Sequence, residues 1–537
     1  MSKRLNIQVL ALMTRSHSHV DSLPDADLNF QPWNSMLKMR HPKARIIFCL
    51  LASVPCALSI GSCLLVGQSG APDSQKLSIP IQQGIRDLQR RNYAVARREF
   101  LLVTQSDPKS AVGFFYLGMS EKALGNSSAA EKALRRSLEL NPQSENTVYN
   151  LGILLMDDKK PHEAVQYLEE ASRLDPKSPE PTVNAIRACL DAGEIRRAVQ
   201  LADSAVQRFN SMPEVHLEVG RSFLQHGLIE RARASLERAN YLAPHEPAIV
   251  FPLAEAYLRE RNPSAALLSL QSCPPEANKS GEYHYLLAQS YYQKGGAQEA
   301  MDEISLASQM DSENPIYLLT AGRYYQKYGR QQDALNILEK AKVLAPRLAE
   351  IPYSIAVSYF ILEKYDETVN LLEQTLHLNP NFDRALFLLG ITRFAQNKPA
   401  EAEACLAQAL RLNPQNPYFE CFYAMVLYSE ERIPDAQEHF KKALALSPSY
   451  ALAHYQLGRL LVRNGKYPEA RDELERAVAL QPDLDEAYYQ LGHAYMRLGE
   501  KSKAEEALSK FNKYRGVEYS ERQEFLRHVH EAVTGGP

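Results

Sequence analysis

The 537-residue sequence holds one tryptophan and seven cysteines, and its formal charge is only −3. Each scarcity removes a class of function. Near-neutral charge does not suggest a nucleic-acid-binding chain, whose footprint is a strongly basic surface. The cysteines form no Cys-x-x-Cys pair and have no histidines at ligand spacing, so neither a zinc site nor a disulfide framework is indicated. Cys49, Cys56 and Cys63 share one apolar stretch, while Cys189, Cys273, Cys405 and Cys421 are scattered singly, as small core side chains are. There is no Gly-x-Ser-x-Gly elbow, no His-Glu-x-x-His and no dinucleotide fingerprint. "GEKSK" at 499–503 lacks the first glycine of a phosphate loop, and His528 and His530 point to different faces of a helix. The chain is therefore expected to carry no catalytic residues, no cofactor and no metal. A hydrophobic content of 45% with 23% charged residues is that of a folded protein.

The N-terminal part stands apart. Residues 1–45 carry seven Lys/Arg against three Asp, and they read as a loose basic tail containing Trp33. Residues 46–67, "IIFCLLASVPCALSIGSCLLVG", are uncharged and long enough to cross a bilayer as a helix. Lys38, Arg40, Lys43 and Arg45 precede them, and no basic residue follows until Lys76. The positive-inside rule then places everything after a short linker, 68–76, outside the cytoplasm. Three fates of the segment stay open: a retained anchor, a cleaved signal counted from Met36 or Met39, and lipidation at Cys63, where "SIGSC" resembles a bacterial lipobox. Export, to a membrane-anchored or periplasmic location, is common to all three.

Beyond the linker the chain repeats itself. Steps of 34 from Gly458 reach Gly492 forward and Ala424, Gly390, Ala356, Gly322, Ala288, Ala254, Gly220, Ile186, Gly152, Gly118 and Gly84 backward. Twelve places later the residue is alanine in every unit except at Thr368. Four further on it is large and apolar, as at Phe100, Leu168 and Leu474, except at Ala202. Eight beyond that comes proline at 108, 142, 176, 244, 346, 380, 414, 448 and 482. A third small column holds Ala171, Ala205, Ala239, Ala307, Ala341, Ala409, Ala443 and Ala477. Apolar residues recur at three and four within a unit, as in "YYQLGHAYMRLG" at 488–499, so each unit is a pair of helices. Gly193, Gly465 and Gly499 mark the turn within a pair, and proline stops the second helix.

This pattern resembles the tetratricopeptide repeat family over more than four fifths of the chain. The resemblance implies an all-α fold, an α-solenoid of thirteen hairpins over 77–518 wound as a right-handed superhelix. The family's tryptophan early in the first helix is replaced throughout, by Phe114, His284, Leu386 or Tyr488 for example. A segment at 519–537 opens with a Ser-x-x-Gln capping box and sets Phe525, Leu526, Val529 and Val533 on one side, as a capping helix would.

In this family the first helices line a concave wall. At their fifth position stand Phe115, Tyr149, Phe251, Tyr285, Tyr353, Phe387, Tyr455 and Tyr489, which serve either as inter-repeat packing or as a groove for a peptide or helix. Arg459, Arg463 and Arg497, with His493, are expected on the same wall, ready for an acidic ligand. The lysine-and-asparagine clamp of chaperone-tail adaptors is not reproduced. The asparagine ladder of glycosyltransferase-linked members is missing apart from Asn150 and Asn184. The expected function is a scaffold for protein or peptide partners, with a carbohydrate-associated envelope component as the alternative.

Overall fold

The structure, a computed structural model, describes residues 79–514 and Val529. The tail, the apolar segment with Cys63, the linker and all of 519–537 except Val529 lie outside the described residues. Val529 is helical and buried. Among the described residues all regular structure is helical, and no helix is long and apolar enough to cross a membrane.

The described residues form two compact units, divided in sequence between Asn278 and Lys279. The first unit contains α1 (Ile79–Gln89), α2 (Tyr93–Ser106), α3 (Ala111–Ala123), α4 (Ser127–Leu140), α5 (Glu145–Asp157) and α6 (Pro161–Leu174). It continues with α7 (Glu180–Asp191), α8 (Ile195–Arg208), α9 (Pro213–Gln225), α10 (Ile229–Leu242), α11 (Pro247–Arg259) and α12 (Pro263–Gln271). A 3-10 turn, Pro275–Lys279, follows. The second unit contains α13 (Gly281–Lys294), α14 (Ala297–Met310), α15 (Pro315–Lys327), α16 (Gln331–Leu344), α17 (Glu350–Ile361), α18 (Tyr365–Leu378) and α19 (Asp383–Ala395). It ends with α20 (Pro399–Leu412), α21 (Pro417–Ser429), α22 (Ile433–Leu446), α23 (Ala451–Arg463), α24 (Tyr467–Leu480), α25 (Asp485–Leu498) and α26 (Lys501–Tyr514).

Each period of 34 is one hairpin, and the small column explains how it closes. A Cβ on Gly458 of α23 would lie 2.6 Å from Leu474 Cγ and 3.4 Å from the Ala470 carbonyl oxygen of α24. The same notch receives Leu168 at Gly152 (2.7 Å) and Leu338 at Gly322 (2.5 Å). The large apolar column therefore fills the space that the missing side chain leaves, and both columns are needed. In α7 and α8 the pair is inverted: Ile186 is the large residue, Ala202 the small one, and both are buried. The large and small side chains trade helices, and the hairpin still closes.

The two helices of a pair differ in burial. α24 buries Ala470, Leu474 and Ala477, a stripe spaced by four and three, as a helix with one covered face should. α23 is buried at every position except Arg459 and Arg463. Successive first helices also pack on one another, as α7 does on α9 and α23 on α25, so they form the crowded layer within each unit. The first unit ends where this pattern fails. α12 runs nine residues where α10 runs fourteen, and Pro274 and Pro275 block its continuation.

The turn inside each hairpin has a left-handed residue at one register. It is glycine at Gly125, Gly193, Gly227, Gly295, Gly329, Gly465 and Gly499, but Arg91, Lys159, Arg261, Glu363, Asn397 and Glu431 take the same conformation. The residue after it donates back across the turn, as Lys160 N does to Leu155 O at 2.8 Å and Lys466 N to Leu461 O at 3.0 Å. This closes the first helix's open carbonyls in a Schellman motif. The backbone demand is thus stronger than the residue preference.

Ala202→Leu is expected to cost about 1–3 kcal/mol by overpacking, and Ile186→Ala about 2–5 kcal/mol by opening a cavity. The double variant recreates the small–large order of the other hairpins, so urea denaturation should show recovery of at least about 1 kcal/mol relative to the sum. At the turn, Lys159→Gly should stabilise by about 0.5–1 kcal/mol because it removes a left-handed non-glycine. Gly193→Ala, with no atom within 4 Å of the new Cβ, should lose about 1 kcal/mol from backbone strain alone.

Candidate partner-binding surface

The side chains of the first-helix layer that escape burial decide what that layer can present. Residues 455, 459 and 463 are spaced by four and share one side of α23. Tyr455 is buried, Arg459 is half-buried and Arg463 is exposed. The Arg459 guanidinium lies 5.1 Å over the Tyr428 ring and 5.7 Å over Tyr455, and that of Arg463 lies 5.4 Å over Tyr428. Arg463 Nη2 also reaches Glu431 Oε1 at 3.1 Å, an exposed pair that contributes little. Arg459 Nε is buried without a hydrogen-bond partner, as is Gln456 Oε1 on the neighbouring face. Tyr428 thus presents two cations side by side, stiffened by the ring beneath them.

One period further on, His493 and Arg497 hold the same register on α25, and both are exposed. They gather around another tyrosine: Arg497 lies 5.9 Å over the Tyr467 ring, and the His493 ring is 6.2 Å from it, edge on. The expected single cluster is therefore two groups, each on its own tyrosine. The platforms Tyr428 and Tyr467 were not singled out by the sequence, although both lie near the inner turn of their hairpins.

The aromatic row needs correction as a groove lining. Phe387 is fully buried, stacked on Phe419 at 4.6 Å and edge-on to Phe422 at 5.3 Å. Tyr353 is buried against Phe382 at 4.8 Å, and Phe251 and Tyr455 are buried too. Phe387 and Tyr353 join one hairpin to the next, and all four are buried. Phe115, Tyr149 and Tyr285 are half-buried. Phe115 meets Tyr116 at 5.1 Å, Tyr285 meets Tyr317 at 4.9 Å, and the Tyr149 hydroxyl accepts from Asn184 Nδ2 at 3.0 Å. Tyr489 alone in the row is exposed, tilted on Phe511 at 5.4 Å. For the four buried rings the packing role wins, because the first helices touch each other.

A polar strut replaces the family's tryptophan in three hairpins. His284 Nδ1 lies 2.5 Å from Glu303 Oε2, and His454 Nδ1 lies 2.6 Å from Glu473 Oε2. In the third hairpin the residues are exchanged, with Glu420 on the first helix and His439 on the second, 2.5 Å apart. The recurring separation of nineteen residues in sequence is the signal that could have exposed these pairs.

The described thiols are poorly suited to nucleophilic chemistry. Burial pushes Cys189 and Cys421 up to about 12 and Cys273 up to about 11, and it raises Cys405 as well. A reactive cysteine needs the opposite shift. Among the described residues no group of three or more His, Cys, Asp or Glu could hold a metal ion.

Models of the tetratricopeptide repeat match residues 115–179, 155–218, 223–290, 359–424 and 485–515, and a TPR-repeat model matches 425–465 and 458–499. No curated protein sequence matches the chain. Solved structures similar to it include the APC/C hetero-tetramer Cut9-Hcn1, at 14% identity and a TM-score of 0.44 over 88% of this chain and 98% of that one. The human IFIT1 dimer with m7Gppp-AAAA is 18% identical, with a TM-score of 0.42 over 70% of this chain and 90% of that one. MamA is 22% identical over 31% of this chain and 91% of that one, with a TM-score of 0.28. With the 34-residue register, the helix pairs and the family models in agreement, the chain belongs to the tetratricopeptide repeat family.

Proposed function

We propose that this chain is a non-catalytic scaffold that binds partner proteins or peptides through its first-helix layer. The observation that carries this reading is on α23, where every residue is buried except Arg459 and Arg463. Two arginines held over tyrosine at the open side of a packed layer recognise carboxylates well, because the guanidinium fork is directional and held in place. The raised thiols support the non-catalytic part of the reading. A sugar-stacking groove is less well supported, since four of the eight row aromatics are buried in packing and Tyr489 is the exposed one. We further propose that residues 46–67 take the repeats across a membrane. The support for this is an uncharged run with basic residues on one side.

Arg459→Glu with Arg497→Glu is expected to reduce crosslinked partners at least fivefold in the native cell while circular dichroism stays unchanged. Undiminished crosslinking by that variant would reject the arginines' role. For export, protease added to intact cells after outer-envelope permeabilisation should degrade the repeats. Full protection until the inner membrane is lysed would place them in the cytoplasm instead.

A further inference from the structure

The second unit repeats the cation–tyrosine arrangement in a hairpin that the family models leave unmatched. Arg323 and Lys327 on α15 hold the register of Arg459 and Arg463, 136 residues or four periods earlier. Tyr292 on α13 precedes Tyr428 by the same interval, and Lys327 Nζ lies 4.1 Å from its ring centre. Tyr292 is in turn stacked on Tyr324 at 4.3 Å, so the platform is rigid.

Arg323 itself is held at one end and open at the other. Its Nε donates to Ser354 Oγ at 3.4 Å, and its two terminal nitrogens make no hydrogen bond among the described residues. Gln326 donates to the Ser354 carbonyl and, at 2.7 Å, to Ser358 Oγ, which fixes α15 against α17 and keeps Ser354 in place. Arg323 retains partial solvent exposure. Burial nevertheless pushes its pKa below the usual guanidinium value, Arg384 adds to that push, and Glu350 with the phenols of Tyr353 and Tyr285 opposes it. The Arg384 guanidinium lies 5.9 Å over the Tyr353 ring, so Tyr353 sits close to both cations. A partly buried cation whose terminal nitrogens have no protein acceptor among the described residues, with a like charge beside it, gains from an incoming anion.

We propose that Arg323, flanked by Lys327 and Arg384, is a second acceptor niche that takes the acidic side chains of an extended partner peptide. This deepens the scaffold reading and rests on it. A peptide fits better than a nucleic acid, because the niche is a small group of cations beside Glu350 in a chain of net charge −3, and a phosphate backbone needs a continuous basic track.

The test uses the full chain and a fluorescein-labelled peptide of eight glutamates, read by anisotropy at low salt, with an eight-glutamine peptide and octa-adenylate RNA as competitors. The glutamate peptide should bind at least tenfold more tightly than the glutamine one. Arg323→Gln should weaken it at least fivefold, Arg323→Lys should weaken it less, and Glu350→Gln should tighten it about threefold by removing an internal competitor. If Arg323→Gln misfolds by circular dichroism, Glu350→Gln and Arg323→Lys carry the test, and no change in either overturns the niche. Equal binding by wild type and a folded Arg323→Gln, equal binding of the two peptides, or displacement by RNA at lower concentration also overturns it. Partners that crosslink to wild type and remain on Arg323→Gln would remove this niche alone and leave the scaffold standing. Absence of any crosslinked partner on wild type would remove both.

Discussion

The structure depends on a large apolar side chain of one helix closing onto a small residue of its partner. Where Leu474 meets Gly458, the side chain of one helix occupies the volume that a Cβ on the other would need. Burying the leucine there gains roughly 1.5–3 kcal/mol per hairpin, and the fit leaves little tolerance on either side. Ile186 and Ala202 show that the large and the small residue can trade helices and still close the hairpin. Once each hairpin closes in this way, its remaining apolar face can be covered only by the next hairpin, so the units stack.

Stacking decides what chemistry the first-helix layer can display. Because first helices pack on first helices, rings at the fifth position are drawn inward, and Phe387, Tyr353, Phe251 and Tyr455 become part of the core. Arginine and lysine escape this fate at the ninth and thirteenth positions because their long stems can lie along a ring while the charged end stays at the surface. The tyrosines thus serve the site indirectly, as platforms for cations. Arg459 and Arg463 on Tyr428 and Lys327 on Tyr292 are instances of one arrangement, produced by one register.

The hairpin turns and the His–Glu struts show how far the backbone frame tolerates sequence change. Six non-glycine residues accept a left-handed conformation because the Schellman bonds closing the turn hold them there. His284, Glu420 and His454 stand where the family has tryptophan, and each links its two helices by a polar contact in place of apolar bulk. At the end of the first unit the frame does yield, since Pro274 and Pro275 cannot extend α12.

The amino-acid sequence by itself determined the period, the helix pairing, the closing columns and the stops. These are properties of residues a few places apart, and composition at a fixed register is enough to encode them. Tertiary structure alone decided which aromatics stay accessible, which tyrosines carry cations, and that Arg323 is left with an open fork. Those outcomes depend on the gap between neighbouring hairpins. A residue's own column does not report that gap, because the side chains filling it come from positions about 30 residues away and compete for the same space.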